Sequence, residues 1–198
     1  MLSNTYRKLA PLRDKLFFSV EDVSLLLGVK QASGRMVCFR AVGEGLFIRL
    51  KNDMYVLEEK WRYLERRDFF ILANYLQVPS YVSFLTALSF YGITTQVPQS
   101  MFESACLKRT RSFEQKGTVF NFYKLKKQVY TGFVRNNGAF IATPEKAFLD
   151  AMYLYSFGKY KIDFSALDVS KLDRRLIKQL LKAFPLKTRK IAGRICKI

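Results

Sequence analysis

Histidine is absent from the sequence, which removes the commonest general base and the commonest metal ligand together. The three cysteines, Cys38, Cys106 and Cys196, lie far apart with no C-x-x-C pair. Neither a disulfide framework nor a zinc knuckle is predicted, and the three read as reduced thiols. No P-loop, no G-x-G-x-x-G and no D-x-D pair occurs. The adjacent acids Glu21 and Asp22, and Glu58 and Glu59, read as helix caps and solvated helix surface. Glu145 and Asp150, five residues apart, do not share a helix face closely. These absences point away from an enzyme, and no cofactor or metal is expected. No apolar run approaches the roughly 18 residues that span a bilayer. Met1 to Lys15 carries scattered charge where a signal peptide needs an apolar centre. The expectation is a soluble, cytoplasmic protein without a membrane partner.

Acidic side chains are scarce too: 16, against 34 lysines and arginines, for a net charge of +18. Such a surplus attracts polyanions, and nucleic acid is the first candidate. The 198 residues, 49% of them hydrophobic, can fill the cores of two small domains.

The stretch from Phe18 to Leu57 reads as a winged helix-turn-helix. Ser19 and Asp22 have the spacing of a capping box. Val20, Val23 and Leu27 form one buried stripe, and Gly28 suits the left-handed end of a helix. A second helix is predicted from about Gln31 to Val42, with Ala32, Met36, Phe39 and Gly43 on one face and Gln31, Ser33, Arg35 and Arg40 flanking it. Gly34 inside that helix costs roughly 1 kcal/mol relative to alanine, which a close approach would explain. Leu46 to Leu50 and Met54 to Leu57 then form a hairpin, the wing, with Asn52 and Asp53 at its tip. Such motifs lay the start of the second helix on base edges. Lys30, Gln31, Ser33, Arg35, Arg40, Arg49 and Lys51 are therefore the candidate DNA contacts. The competing reading is a scaffold that packs on a protein partner.

The rest of the chain follows as α+β. Asn4 to Leu16 is a first helical piece interrupted by Pro11. Residues 58–78, balanced in charge and free of glycine, read as a connecting helix or helix pair. A helix is predicted over Ser80 to Tyr91, capped by Gly92. Phe102–Leu107, Val119–Leu125, Val129–Val134 and Ala139–Ala142 read as an antiparallel sheet, and Asn137-Gly138 as the turn of its last hairpin. Thr143, Pro144 and Glu145 start a helix that runs to about Tyr155. The tail from Ser156 carries 12 basic and 3 acidic residues, with an amphipathic helix over Leu172–Ala183 and a weaker one over Thr188–Cys196. It reads as a second nucleic-acid or partner surface or as a solvated helical face. The predicted domains are 1–57 (winged), 58–78 (connecting) and 79–198 (helix, antiparallel sheet, helix, with the basic helical tail).

Lys108, Arg109 and Arg111 form a further basic cluster. On a strand, Arg109 and Arg111 would share a face and suit phosphate or carboxylate recognition. The bland alternative is a solvated edge that deters aggregation.

Three phrases, "PSYVSFLTALSFYG", "KRTRSFEQKGTVFNFYKL" and "IATPEKAFLDAMYL", resemble the segments that identify the C-terminal domain of the AbiEi antitoxins of type IV toxin-antitoxin systems. "GEGLFIRLKNDMYVL" resembles their winged helix. The resemblance implies an autorepressor that binds promoter DNA and counters a nucleotidyltransferase-like toxin; Lys108, Arg109 and Arg111, read on their own as a nucleic-acid or toxin contact, are the candidate antitoxin or partner surface. The chain departs from the family at Asp53, where glycine is usual, and at Leu85, where an acid is common. The alternative is a non-catalytic protein-interaction or RNA-binding module.

Overall fold

A computed structural model of the chain describes residues 7–96 and 99–198. The chain divides into two compact units, with the division between Asp68 and Phe69. Asn4 to Tyr6 of the expected first helical piece lie outside the described residues; within them a 3-10 turn spans Ala10–Asp14, with Pro11 in its first turn.

The first unit holds helix α1 (Val20–Leu27), helix α2 (Gln31–Gly43), strands β1 (Phe47–Lys51) and β2 (Met54–Leu57), and a short helix α3 (Glu58–Trp61). The capping box forms: the Asp22 N–H donates to Ser19 Oγ at 3.2 Å, and the Ser19 N–H donates to Asp22 Oδ2 at 2.7 Å. Gly28 ends α1 in the left-handed region at φ 66°. Phe18 exchanges backbone hydrogen bonds of 2.9 Å with Tyr55, adding an extended residue beside the hairpin. Its ring meets Phe47 edge-on at 4.8 Å and stacks with Tyr55 at 6.0 Å. Leu12, Val23, Cys38 and Ala41 complete this core.

A helix α4 (Arg66–Leu76), whose first three residues precede the division, leads in the second unit to β3 (Ser80–Val82), α5 (Phe84–Phe90), β4 (Met101–Cys106), β5 (Arg111–Gln115), β6 (Thr118–Lys124), β7 (Phe133–Asn136) and β8 (Ala139–Ala142). Helices α6 (Pro144–Ser156), α7 (Arg174–Leu181) and α8 (Leu186–Cys196) follow. The segment 58–78, expected as one connector, is thus divided: Phe69 and Phe70 pack their rings on Phe102 of β4.

The sheet is mixed, not antiparallel. Its order is β5-β6-β4-β3-β8-β7, with β4–β6 and β3–β8 parallel. The parallel pairs arise because the β5–β6 hairpin and the β7–β8 hairpin each return to pair beyond an earlier strand. The start of the predicted helix over 80–91 is β3 instead. Ser80, Tyr81 and Val82 pair with β4, and Val82 also pairs with β8, a non-local arrangement that overrides their helical spacing. Val129–Val134 is not a continuous strand either, since a 3-10 turn takes Lys127–Val129. Asn137 and Gly138 make the β7–β8 turn at φ 45° and 87°, the two positive values that a type I′ hairpin needs.

Helix α6 is central, buried along nearly its whole length between α5 on one side and α7 and α8 on another. The tail is part of this core: Ile177, Leu181, Phe184, Ala192 and Cys196 are buried, while Lys178, Lys182, Lys187 and Lys190 stay exposed.

Candidate functional site: the outward face of the second helix and the hairpin

Helix α2 packs on α1 through its smallest residues. Gly34 is the point of closest approach: a Cβ there would lie 2.1 Å from Ser24 Oγ and 3.3 Å from the Val20 carbonyl oxygen. Ser24 Oγ already donates to that carbonyl at 2.8 Å. Gly34→Ala should therefore destabilise the first unit by about 1–2 kcal/mol, since overpacking outweighs the gain in helix propensity. Adding Ser24→Ala should recover part of the loss. Thermal melts of the two variants check this, and a neutral Gly34→Ala would remove the close approach as the reason for glycine.

With Gly34, Cys38 and Ala41 buried, the opposite side of α2 faces solvent. That side is the stripe of Ala32, Met36, Phe39 and Gly43, with Met36 52% and Phe39 72% exposed. The apolar face read from the spacing is thus not a core face. At 3.6 residues per turn, Gln31 and Arg35 run along one edge of the stripe and Ser33 and Arg40 along the other, roughly 140–180° apart. All four, and Lys30 at the N-cap position, are exposed.

The Arg35 edge opens toward the hairpin. A cleft of about 500 Å³ is lined by Arg35 and Phe39 from α2 and by Arg49, Asn52, Asp53 and Tyr55 from the hairpin. Arg49 is held along the turn, donating to the Lys51 carbonyl at 3.4 Å and to Asn52 Oδ1 at 3.1 Å. Asp53 adopts φ 57°, a conformation aspartate tolerates better than most residues. Its Oδ1 accepts the Val20 N–H at 2.8 Å, so it ties the hairpin to the start of α1, a second function that glycine at this position could not serve. Nothing in the local sequence announces that bond, because its partners are 33 residues apart.

Tyr55 lies under the cleft. Burial pushes its hydroxyl pKa up, and the positive charges of Arg49 and Arg35 pull it back. Burial likewise pushes the Cys38 thiol up to about 11, which keeps it an inert thiol. Lys51 is half-buried at the end of β1.

The second basic cluster does not form the strand face expected of it. Lys108, Arg109 and Thr110 lie in the loop between β4 and β5. The Arg109 carbonyl accepts from Gln77 Nε2 at 2.9 Å, and Thr110 Oγ1 accepts the Lys124 N–H at 3.0 Å. Arg111 opens β5 with its guanidinium 3.7 Å from the centroid of the Phe113 ring, a cation–π contact. Arg109 and Arg111 therefore sit on different elements rather than on alternate positions of one strand.

Among the described residues no helix is long and apolar enough to cross a membrane, and no group of three or more Cys, Asp or Glu could hold a metal ion. No protein-family pattern and no curated protein matches the sequence. A solved structure with a similar fold is that of the RV2827C protein from Mycobacterium tuberculosis, which matches at a TM-score of 0.61 and 10% identity over 95% of this chain and 74% of that one.

Proposed function

We propose that the first unit is a winged helix-turn-helix that binds duplex DNA, with α2 in the major groove and the β1–β2 hairpin as the wing on the backbone. We further propose that the chain is a non-catalytic transcriptional regulator. The observation that carries this reading is the outward surface of α2. Its buried side is made of residues small enough for α1 to pack closely, while Gln31, Ser33, Arg35 and Arg40 stand exposed and Arg35 shares a cleft with Arg49 of the hairpin. That is the arrangement by which a recognition helix reaches base edges while a neighbouring loop holds phosphates. The resemblance to the AbiEi antitoxins extends the proposal: the DNA is the promoter of the chain's own operon, and the second unit counters a nucleotidyltransferase-like toxin.

A band-shift titration of the full chain on its own promoter and on a scrambled duplex tests the first step. Specific retention that weakens as salt rises is the expected result, because each neutralised phosphate contributes roughly 0.9 to the slope of log affinity against log salt. A flat salt response with no preference between the duplexes would favour the second reading, a protein-docking module, which the exposed Met36 and Phe39 support. Co-expression with a nucleotidyltransferase encoded next to the chain, scored by growth, tests the antitoxin step.

A further inference from the structure

The second unit carries a basic cleft that the DNA-binding reading does not use. Two cavities of about 600 and 360 Å³ share Tyr123 and Lys159 in their walls. Tyr123, Leu154 and Phe157 supply an apolar, largely aromatic floor, and Lys124, Lys126, Lys159 and Lys161 supply the rim. All four lysines are exposed, and none forms an ion pair among the described residues. They come from two separate stretches of chain, the end of β6 with its following turn and the loop after α6, so the fold gathers them.

The one acid in the walls does not balance them. Glu103 is 2% exposed, and its carboxylate accepts from the Tyr160 hydroxyl at 2.7 Å, the Leu85 N–H at 3.1 Å and the Tyr123 hydroxyl at 3.3 Å. It is fully engaged from within, and the same bonds fix the two tyrosine rings that border the cleft. Phe157, 46% exposed, meets Tyr153 edge-on at 5.4 Å, and Lys187 Nζ lies 5.7 Å from its centroid, which brings a fifth cation to this end.

Clustered unpaired lysines repel one another, and an anion relieves that repulsion. Inorganic phosphate would satisfy the rim and leave the aromatic floor unused, and an acidic peptide would do the same. A DNA duplex is too wide for cavities of this size. Phosphates spaced along a strand with flat bases between them match both rim and floor, as in sites that track single strands with lysines and stack bases on aromatic rings. We propose that this cleft binds single-stranded nucleic acid, with phosphates on Lys124, Lys126, Lys159 and Lys161 and a base against Phe157.

The test is fluorescence anisotropy of the full chain with labelled oligothymidylate and oligouridylate of equal length. Three variants are compared with the wild type: one with all four rim lysines changed to alanine, Phe157→Ala, and the Arg35→Ala, Arg49→Ala pair in the first unit. The lysine variant should lose affinity for the strands about tenfold or more and flatten the salt slope by about 3, from roughly 0.7 per phosphate on a single strand. Phe157→Ala should weaken binding by about tenfold through lost stacking. All of these side chains are exposed, and matching circular dichroism confirms that the variants fold. Both variants should leave the promoter band shift unchanged, whereas the arginine pair should lower the band shift and spare the strands. Binding of either strand with this pattern supports the proposal, and the tighter strand names the source as RNA or DNA. Unchanged strand affinity in the lysine variant overturns it. So does displacement of the strand by polyglutamate at equal charge, which would assign the cleft to acidic proteins.

Discussion

Replacing Lys146 with methionine should destabilise the second unit by about 3–5 kcal/mol, the cost of leaving a buried charge without its partner. Lys146 and Asp150 stand one turn apart on α6, and both side chains are completely buried. Asp150 Oδ2 also accepts from the Tyr81 hydroxyl at 2.9 Å and from Ser83 Oγ at 2.8 Å. One carboxylate therefore joins α6 to β3 and to the N-cap residue of α5. The lysine stem runs close past Gly132, where a Cβ would lie 3.1 Å from Lys146 Cγ, and that glycine has φ 74°. Burial pushes the Asp150 pKa up and the Lys146 pKa down, and each partner works against that by holding the other charged. Without the lysine, only the hydrogen bonds from Ser83 and Tyr81 oppose the desolvation of Asp150. The double change Lys146→Met, Asp150→Asn keeps an oxygen for Tyr81 and Ser83 without a charge, so it should cost clearly less than Lys146→Met alone. A loss of about 3–5 kcal/mol is a large part of the 5–15 kcal/mol that holds a typical domain. Urea titrations of the two single variants and the double variant measure the coupling. Equal losses in Lys146→Met and the double variant would show that the pair contributes nothing beyond its volume.

Neither residue drew notice in the sequence for this role, and the reason is general to this fold. Features that depend on neighbours within a few residues were legible: the Ser19–Asp22 capping box, the left-handed Gly28, the Asn137-Gly138 turn and the Thr143–Pro144 helix start all occur as read. Features decided across the chain were not. Lys146 and Asp150 look like any exposed pair four apart until Tyr81 and Ser83, nearly 70 residues away, enclose them. Ser80–Val82 carries helical spacing but is recruited by β4 and β8. Period 3.6 picked out the Ala32, Met36, Phe39 stripe correctly as one face, yet periodicity does not say which face is buried. On α2 close packing selects Gly34, Cys38 and Ala41 instead. For the candidate site, residue type was legible from the sequence, whereas exposure was not: Lys51 is half-buried. Nor was it legible that Arg35 and Arg49 open on one cleft while Ser33 and Arg40 fall on the far edge of the helix.

That asymmetry sets the expected result for DNA affinity. Arg35→Ala and Arg49→Ala together should lower binding to the chain's own promoter by about a hundredfold or more, since each such contact contributes roughly 1–3 kcal/mol. Arg40→Ala, on the opposite edge, should cost less. The two arginines should differ in kind. Arg49 is clamped along the hairpin turn by the Lys51 carbonyl and Asn52, so it suits a phosphate. Its loss should weaken all sequences alike and lower the salt slope by about 0.9. Arg35 lies on the helix beside Met36 and Phe39, where a guanidinium can read guanine and the apolar side chains can meet thymine methyl groups. Its loss should relax sequence preference. Replacing thymine by uracil in the operator removes those methyls, so it should weaken the wild type and leave Phe39→Ala unaffected. Band shifts with the wild type, Arg35→Ala, Arg49→Ala, the pair, Arg40→Ala and Phe39→Ala on thymine and uracil duplexes separate these effects. If the arginine pair binds as tightly as the wild type, the cleft is not a DNA contact. The exposed Met36 and Phe39 would then be better explained as the dock of a protein partner.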